Sequence, residues 1–142
     1  MNDITHDTGR YNMGANHWMQ SKVTLRQNGH IDATTHTETD TDLGGFTGGV
    51  SLLFCDANQV VIGQSHVHSF GVDGKWLGRN KRDDYWGEDV EANLRQRIGE
   101  FTILQFWDPK YSAIGNIIDH AVTDALKVEP LLAKLKQDKL IK

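Results

Sequence analysis

From Trp18 to Glu38 the chain reads WMQSKVTLRQNGHIDATTHTE, two alternating stretches on either side of Gln27-Asn28-Gly29. Alternation with a period of two belongs to strands, and Asn-Gly between two such runs marks a hairpin. This segment constrains the fold more than any other because its register can be argued. A two-residue turn at Asn28-Gly29 would set Leu25 opposite Asp32, burying a charge or exposing a leucine. A three-residue loop of Gln27, Asn28 and a left-handed Gly29 instead pairs Leu25 with Ile31 and Val23 with Ala33, and this register is expected. One face then carries Met19, Ser21, Val23, Leu25, Ile31, Ala33, Thr35 and Thr37, apolar near the turn and hydroxylated at the open end. The other face, with Trp18, Lys22, Arg26, Asp32, His36 and Glu38, is left for solvent or a ligand.

Further strands follow. VSLLFC, Val50 to Cys55, is apolar on both faces, as a central strand should be. The turn Asp56-Ala57-Asn58-Gln59 returns the chain so as to pair Phe54 with Val61, Leu52 with Gly63 and Gly49 with His66. Gly48 and Gly49 then lie bare beside His66, as where something approaches the backbone. Asp73-Gly74 fits a type I′ turn, pairing Gly71 with Trp76 and His68 with Arg79. Val90, Leu94 and Ile98 make a short amphipathic helix of Glu88–Ile98, and Phe101–Trp107 is another strand. Asp108-Pro109 opens a helix whose stripe runs Ile114, Ile117, Ile118, Ala121, Val122, Ala125 and Leu126, and Pro130 opens a last helical segment.

Strands in hairpin order followed by helices read as α+β. The expected architecture is one antiparallel sheet of five to six hairpin-connected strands, with two to three helices, mostly C-terminal, packed on one face. A β-sandwich with a helical C-terminal tail is the alternative. The 142 residues suit a single domain. Residues 1–16 form a flexible arm or edge strand, 18–107 are mainly sheet with a short helix near 88–98, and 109–142 are helical.

Composition excludes several classes of function. With 38% hydrophobic and 24% charged residues, the chain is too apolar for disorder and too polar for a membrane protein. Residues 1–60 hold three bases against seven acids and so account for the net charge of −4. The only basic run, Arg79, Lys81 and Arg82, is followed at once by Asp83 and Asp84, a poor phosphate track, so no nucleic-acid partner is expected. The lone Cys55 allows no internal disulfide and sits in an apolar run as a small hydrophobe. No signal peptide and no run of about 20 apolar residues is present, so a soluble, cytoplasmic protein is expected, although leaderless secretion would leave no trace.

The residues that could carry chemistry cluster in Gly63–Trp86. His66 and His68, two apart on a strand, would share a face and could hold one metal or one substrate group. No third ligand follows at metal-site spacing, and a closed site needs three or four. Arg79, facing His68 across the expected hairpin, could bind an anion, and Trp76 and Trp86 could stack on sugar rings or apolar ligands. His36 joins them if the first hairpin packs alongside. Every catalytic constellation is incomplete, so the reading is a non-enzymatic binding module for a glycan, a small polar ligand or a protein partner. Its candidate surface is His36, His66, His68, Trp76, Arg79 and Trp86. No cofactor is expected. One alternative is a small enzyme using His66 and His68 as divalent-metal ligands or general base; another is a secreted effector or toxin acting at membranes.

Overall fold

The computed structural model describes residues 1–142. Its strands are β1 (Ile4–Asp7), β2 (Tyr11–Gly14), β3 (His17–Leu25), β4 (His30–Thr39), β5 (Phe46–Cys55), β6 (Val61–Gln64), β7 (His68–Val72), β8 (Lys81–Asp89) and β9 (Glu100–Trp107). Its helices are α1 (Ala92–Arg97), α2 (Tyr111–Thr123) and α3 (Val128–Gln137). A 3-10 turn, Asp108–Lys110, joins β9 to α2.

The hairpin of β3 and β4 forms in the three-residue register, with Leu25 opposite Ile31 and Val23 opposite Ala33. Gly29 has a φ of 93°, the left-handed value the loop requires. β1 and β2 both pair with the free edge of β3, so the N-terminal residues are edge strands. β8 pairs with the other side of β4 and completes the first sheet.

The expectation of one sheet is wrong: there are two. In the second, β5 lies between β9 on one side and β6 and β7 on the other. Three connections cross between the sheets, one of them through α1 from β8 to β9. Residues 40–45 carry the chain from β4 to β5, and residues 73–80 carry it back from β7 to β8. These last two hold each other: the Lys75 and Trp76 N–H groups donate to the Thr41 and Asp42 carbonyls, both at 2.9 Å. The hairpin expected at Asp73-Gly74 therefore does not form. Gly74 lacks the positive φ of a type I′ turn, and Leu77 N–H donates to its carbonyl to close a different turn.

The register of β5 against β6 also differs, with Phe54 opposite Gly63 and Leu53 opposite Gln64. The Asp56 carboxylate accepts the N–H groups of Asn58 (2.9 Å) and Val60 (3.0 Å), which lengthens the turn, and a bulge at Cys55 adds a further step. The helix expected at Glu88–Ile98 is shorter, because Glu88 and Asp89 still belong to β8.

Packing gives three layers: first sheet, second sheet, helices. Met19, Val23, Leu25 and Ile31 meet Val50, Leu52, Phe54 and Phe101 between the sheets. On the far side of β5, Leu53, Leu104 and Phe106 meet Ile114, Ile118, Leu131 and Leu135 of α2 and α3. VSLLFC is apolar on both faces because it is the middle strand of the middle layer. The expected stripe is only partly core: Ile114, Ile118 and Ala121 are buried, whereas Val122 and Leu126 are exposed.

A polar seam runs between the sheets where the first one turns hydroxylated. The Ser21 hydroxyl bonds Thr35 Oγ1 and donates to Gln105 Oε1, each at 2.8 Å, and the Trp86 indole N–H donates to Thr35 Oγ1 at 2.9 Å. His17 lies beyond it, buried, with Nδ1 2.6 Å from Thr39 Oγ1 and its ring stacked on Phe46 at 4.2 Å. Burial holds the His17 pKa below the ordinary value of about 6.5. Above that pH the residue is neutral whether folded or unfolded. As pH falls through 6.5, the unfolded chain takes up a proton that the folded chain resists, so stability is lost until the lowered folded pKa is reached. His30, whose pKa is raised by its hydrogen bond to Asp89, acts in the opposite sense and stabilises at low pH. Comparing the native chain with His17→Phe in urea titrations from pH 7.5 to 5 isolates the first effect. The native chain should lose ground to the variant as pH falls; parallel curves would refute the assignment.

Candidate binding cleft

β6 and β7 follow the same edge of β5 but are not continuous. Ser65 breaks them: its N–H donates to the Leu52 carbonyl (2.9 Å), and its hydroxyl accepts the Leu52 N–H (2.7 Å) in place of a backbone partner. His66 and Val67 are thereby pushed out of the ladder. Across the break stands the end of β8, where Glu88 joins the two sheets. One carboxylate oxygen accepts the His66 N–H at 3.3 Å, and the other lies 2.8 Å from His68 Nε2. The His68 ring stacks on Trp86, centroids 4.1 Å apart.

The break, the β8 end, α1 and the start of α2 enclose a cleft of about 440 Å³. Phe54 and Leu94 form its apolar floor, while Gln64, His66, Asp89 and Glu91 line its walls. Tyr111, 51% exposed, stands on its rim. Glu91 also accepts the Asn93 N–H and so caps α1, which fixes that wall.

The six residues singled out by sequence fall into three places. His66 lines the cleft, and His68 and Trp86 lie beside it, tied in through Glu88, but not as expected. His66 is no longer on a strand, so the same-face argument lapses, and Trp86 is buried with its N–H spent on Thr35. His36 projects from the outer face of the first sheet, where it bonds Asp83 (2.8 Å) and Glu38 (3.3 Å). Trp76, 73% exposed, and Arg79 sit on the 73–80 crossover at the other end of β7. The pairing of Arg79 with His68 does not exist; Arg79 Nε donates instead to the Lys81 carbonyl. No three His, Cys, Asp or Glu side chains converge in a metal-holding arrangement.

Gly48 and Gly49 do have something close to their backbone, but it is the protein itself. A side chain on Gly48 would strike Met19, and one on Gly49 would strike Phe106. Cys55 is buried, and burial raises its thiol pKa, which leaves it a poor nucleophile. Sequence reasoning missed Glu88, taken for a helix start, and Tyr111 and Gln64, which carry no local signal.

No family model matches the chain, and no curated protein does. Among solved structures, a crystal structure of a DUF1425 family member from Shewanella sp. pv-4 is similar at 12% identity, covering 74% of this chain and 94% of that one, with a TM-score of 0.37. So loose a likeness carries no argument about fold or chemistry. No helix is long and apolar enough to cross a membrane.

Proposed function

We propose that the protein is a binding module and that a hydroxyl-rich ligand, a glycan or small polyol, occupies the cleft between His66 and Glu91. The observation that supports this reading is the pairing of an exposed ring, Tyr111, with planar hydrogen-bonding groups from Gln64, His66, Asp89 and Glu91 around one open cavity. An aromatic face takes the apolar side of a sugar ring, and amide, imidazole and carboxylate groups take its hydroxyls. The carboxylates of Glu88, Asp89 and Glu91 repel an anionic ligand. A glycan array followed by calorimetry tests the reading. A neutral or cationic glycan should bind, and Tyr111→Ala and His66→Ala, both at exposed positions, should each weaken it about tenfold, or about 1.4 kcal/mol. No hit on the array, or a hit indifferent to both variants, would remove the proposal.

The pairing of His68 with Glu88 favours one second reading. A carboxylate that fixes an imidazole is half of a general-base arrangement. Stoichiometric metal lost on His66→Ala, or turnover of a substrate lost on His68→Gln, would put the enzyme reading first.

A further inference from the structure

On the other side of the junction between β9 and α2 lies a second cavity, of about 370 Å³ and opposite charge. Tyr111 lines the first cleft and its neighbour Lys110 lines the second. The floor of the second is apolar, formed by Met13, Trp107, Leu140 and Ile141. The one polar atom of the Trp107 side chain is already used, donating to the Met13 carbonyl at 2.8 Å. The rim consists of Lys110, Lys136, Lys139 and Lys142, and no acidic side chain lines the cavity.

These lysines are uncompensated. The ion pairs that lysine makes in this protein run through Lys75 and Lys134 instead. A carboxylate on Lys142 itself would cancel one charge and leave a surplus. The wall is also tied in place: Lys110 Nζ donates to the Lys139 carbonyl (2.8 Å) and the Tyr11 hydroxyl to the Lys142 carbonyl (2.7 Å). Four lysines that share one rim repel, and in a chain of net charge −4 nothing in the overall composition calls for them to gather. An anion relieves that repulsion, and an apolar body covers the floor.

We propose that this cavity binds a single-chain anionic amphiphile, a carboxylate or sulfonate, with its tail against Trp107 and Leu140 and its head among the lysines. Small-molecule sites span roughly 300–1,000 Å³, and the cavity lies within that range, which suits one molecule rather than a patch of bilayer. The site is separate from the glycan cleft and does not depend on it.

The test is a calorimetric titration of the full chain with dodecanoate below its micelle-forming concentration. Dodecyltrimethylammonium serves as a control with the same tail and the opposite charge. One dodecanoate per chain should bind, more weakly in added salt, and the cation should not. Lys136→Glu with Lys139→Glu, both at exposed positions, should weaken binding at least tenfold while the circular dichroism spectrum stays native. Equal binding of the cation, several dodecanoates per chain or an unchanged double variant would overturn the proposal. So would capture by phosphatidylglycerol vesicles without any binding of dodecanoate, which would assign the lysines to a membrane surface.

Discussion

Arg95→Ala should lower the unfolding free energy by about 3–5 kcal/mol, one of the two largest single-residue effects expected in this protein. Arg95 is 2% exposed and has no carboxylate partner. It lies on α1, and its guanidinium donates to three backbone carbonyls: Asn2 at 2.7 Å, Arg26 at 2.8 Å and Ile98 at 3.5 Å. These belong to the N-terminal segment, the end of the first hairpin and the end of α1. One planar group with five donors in a fixed fork closes all three. Alanine would leave those carbonyls without their partner and open a cavity beside them, and both costs add. Arg95→Lys keeps the charge but cannot span the three acceptors, so it should recover only part of the loss. Arg95→Met fills the volume without any donor and should fall below lysine. Urea midpoints in the order arginine, lysine, methionine, alanine check the argument; a loss below 1 kcal/mol for alanine would refute it.

Arg95 also shows where the sequence stops being informative. On an amphipathic helix patterned by Val90, Leu94 and Ile98, a late arginine reads as a solvent-facing charge that complements the helix dipole. Nothing local says that the N-terminal segment and a hairpin loop will converge on it. The hairpin from Trp18 to Glu38 was legible to the residue because alternation and turn length are both local and agree. The double-sided apolarity of β5 was legible as well, since it needs only a neighbour on each face. The crossovers were not. Asp73-Gly74 has the composition of a hairpin turn, but the segment that follows pairs with β4 rather than β7, and that choice is made by contacts far away in the chain. The cleft inherits this difficulty. His66 was recognised as a candidate, yet its partner Glu88 depends on how β8 docks, and Tyr111 on how α2 leaves β9.

Phe106→Ala should cost about 3–5 kcal/mol, and its interplay with Gly49 tests the packing of the second sheet on the helices. Phe106 is 1% exposed, stands opposite Gly49 across β9 and β5, and packs in the cluster built around α2 and α3. A Cβ placed on Gly49 would come within 2.6 Å of the Phe106 ring, a distance no carbon pair tolerates. Gly49 does not have a positive φ, so the glycine is required for space and not for backbone conformation. Gly49→Ala alone should therefore cost about 1–3 kcal/mol through displacement of the ring. In the Phe106→Ala background there is no ring to displace, and the new methyl occupies part of the space the ring has left. The double variant should be more stable than the sum of the two single losses by about 1 kcal/mol or more, measured by urea unfolding of all four chains. Additive losses would mean that the ring does not lie over Gly49. The close backbone approach that the Gly48-Gly49 pair signals would then again be free for a ligand.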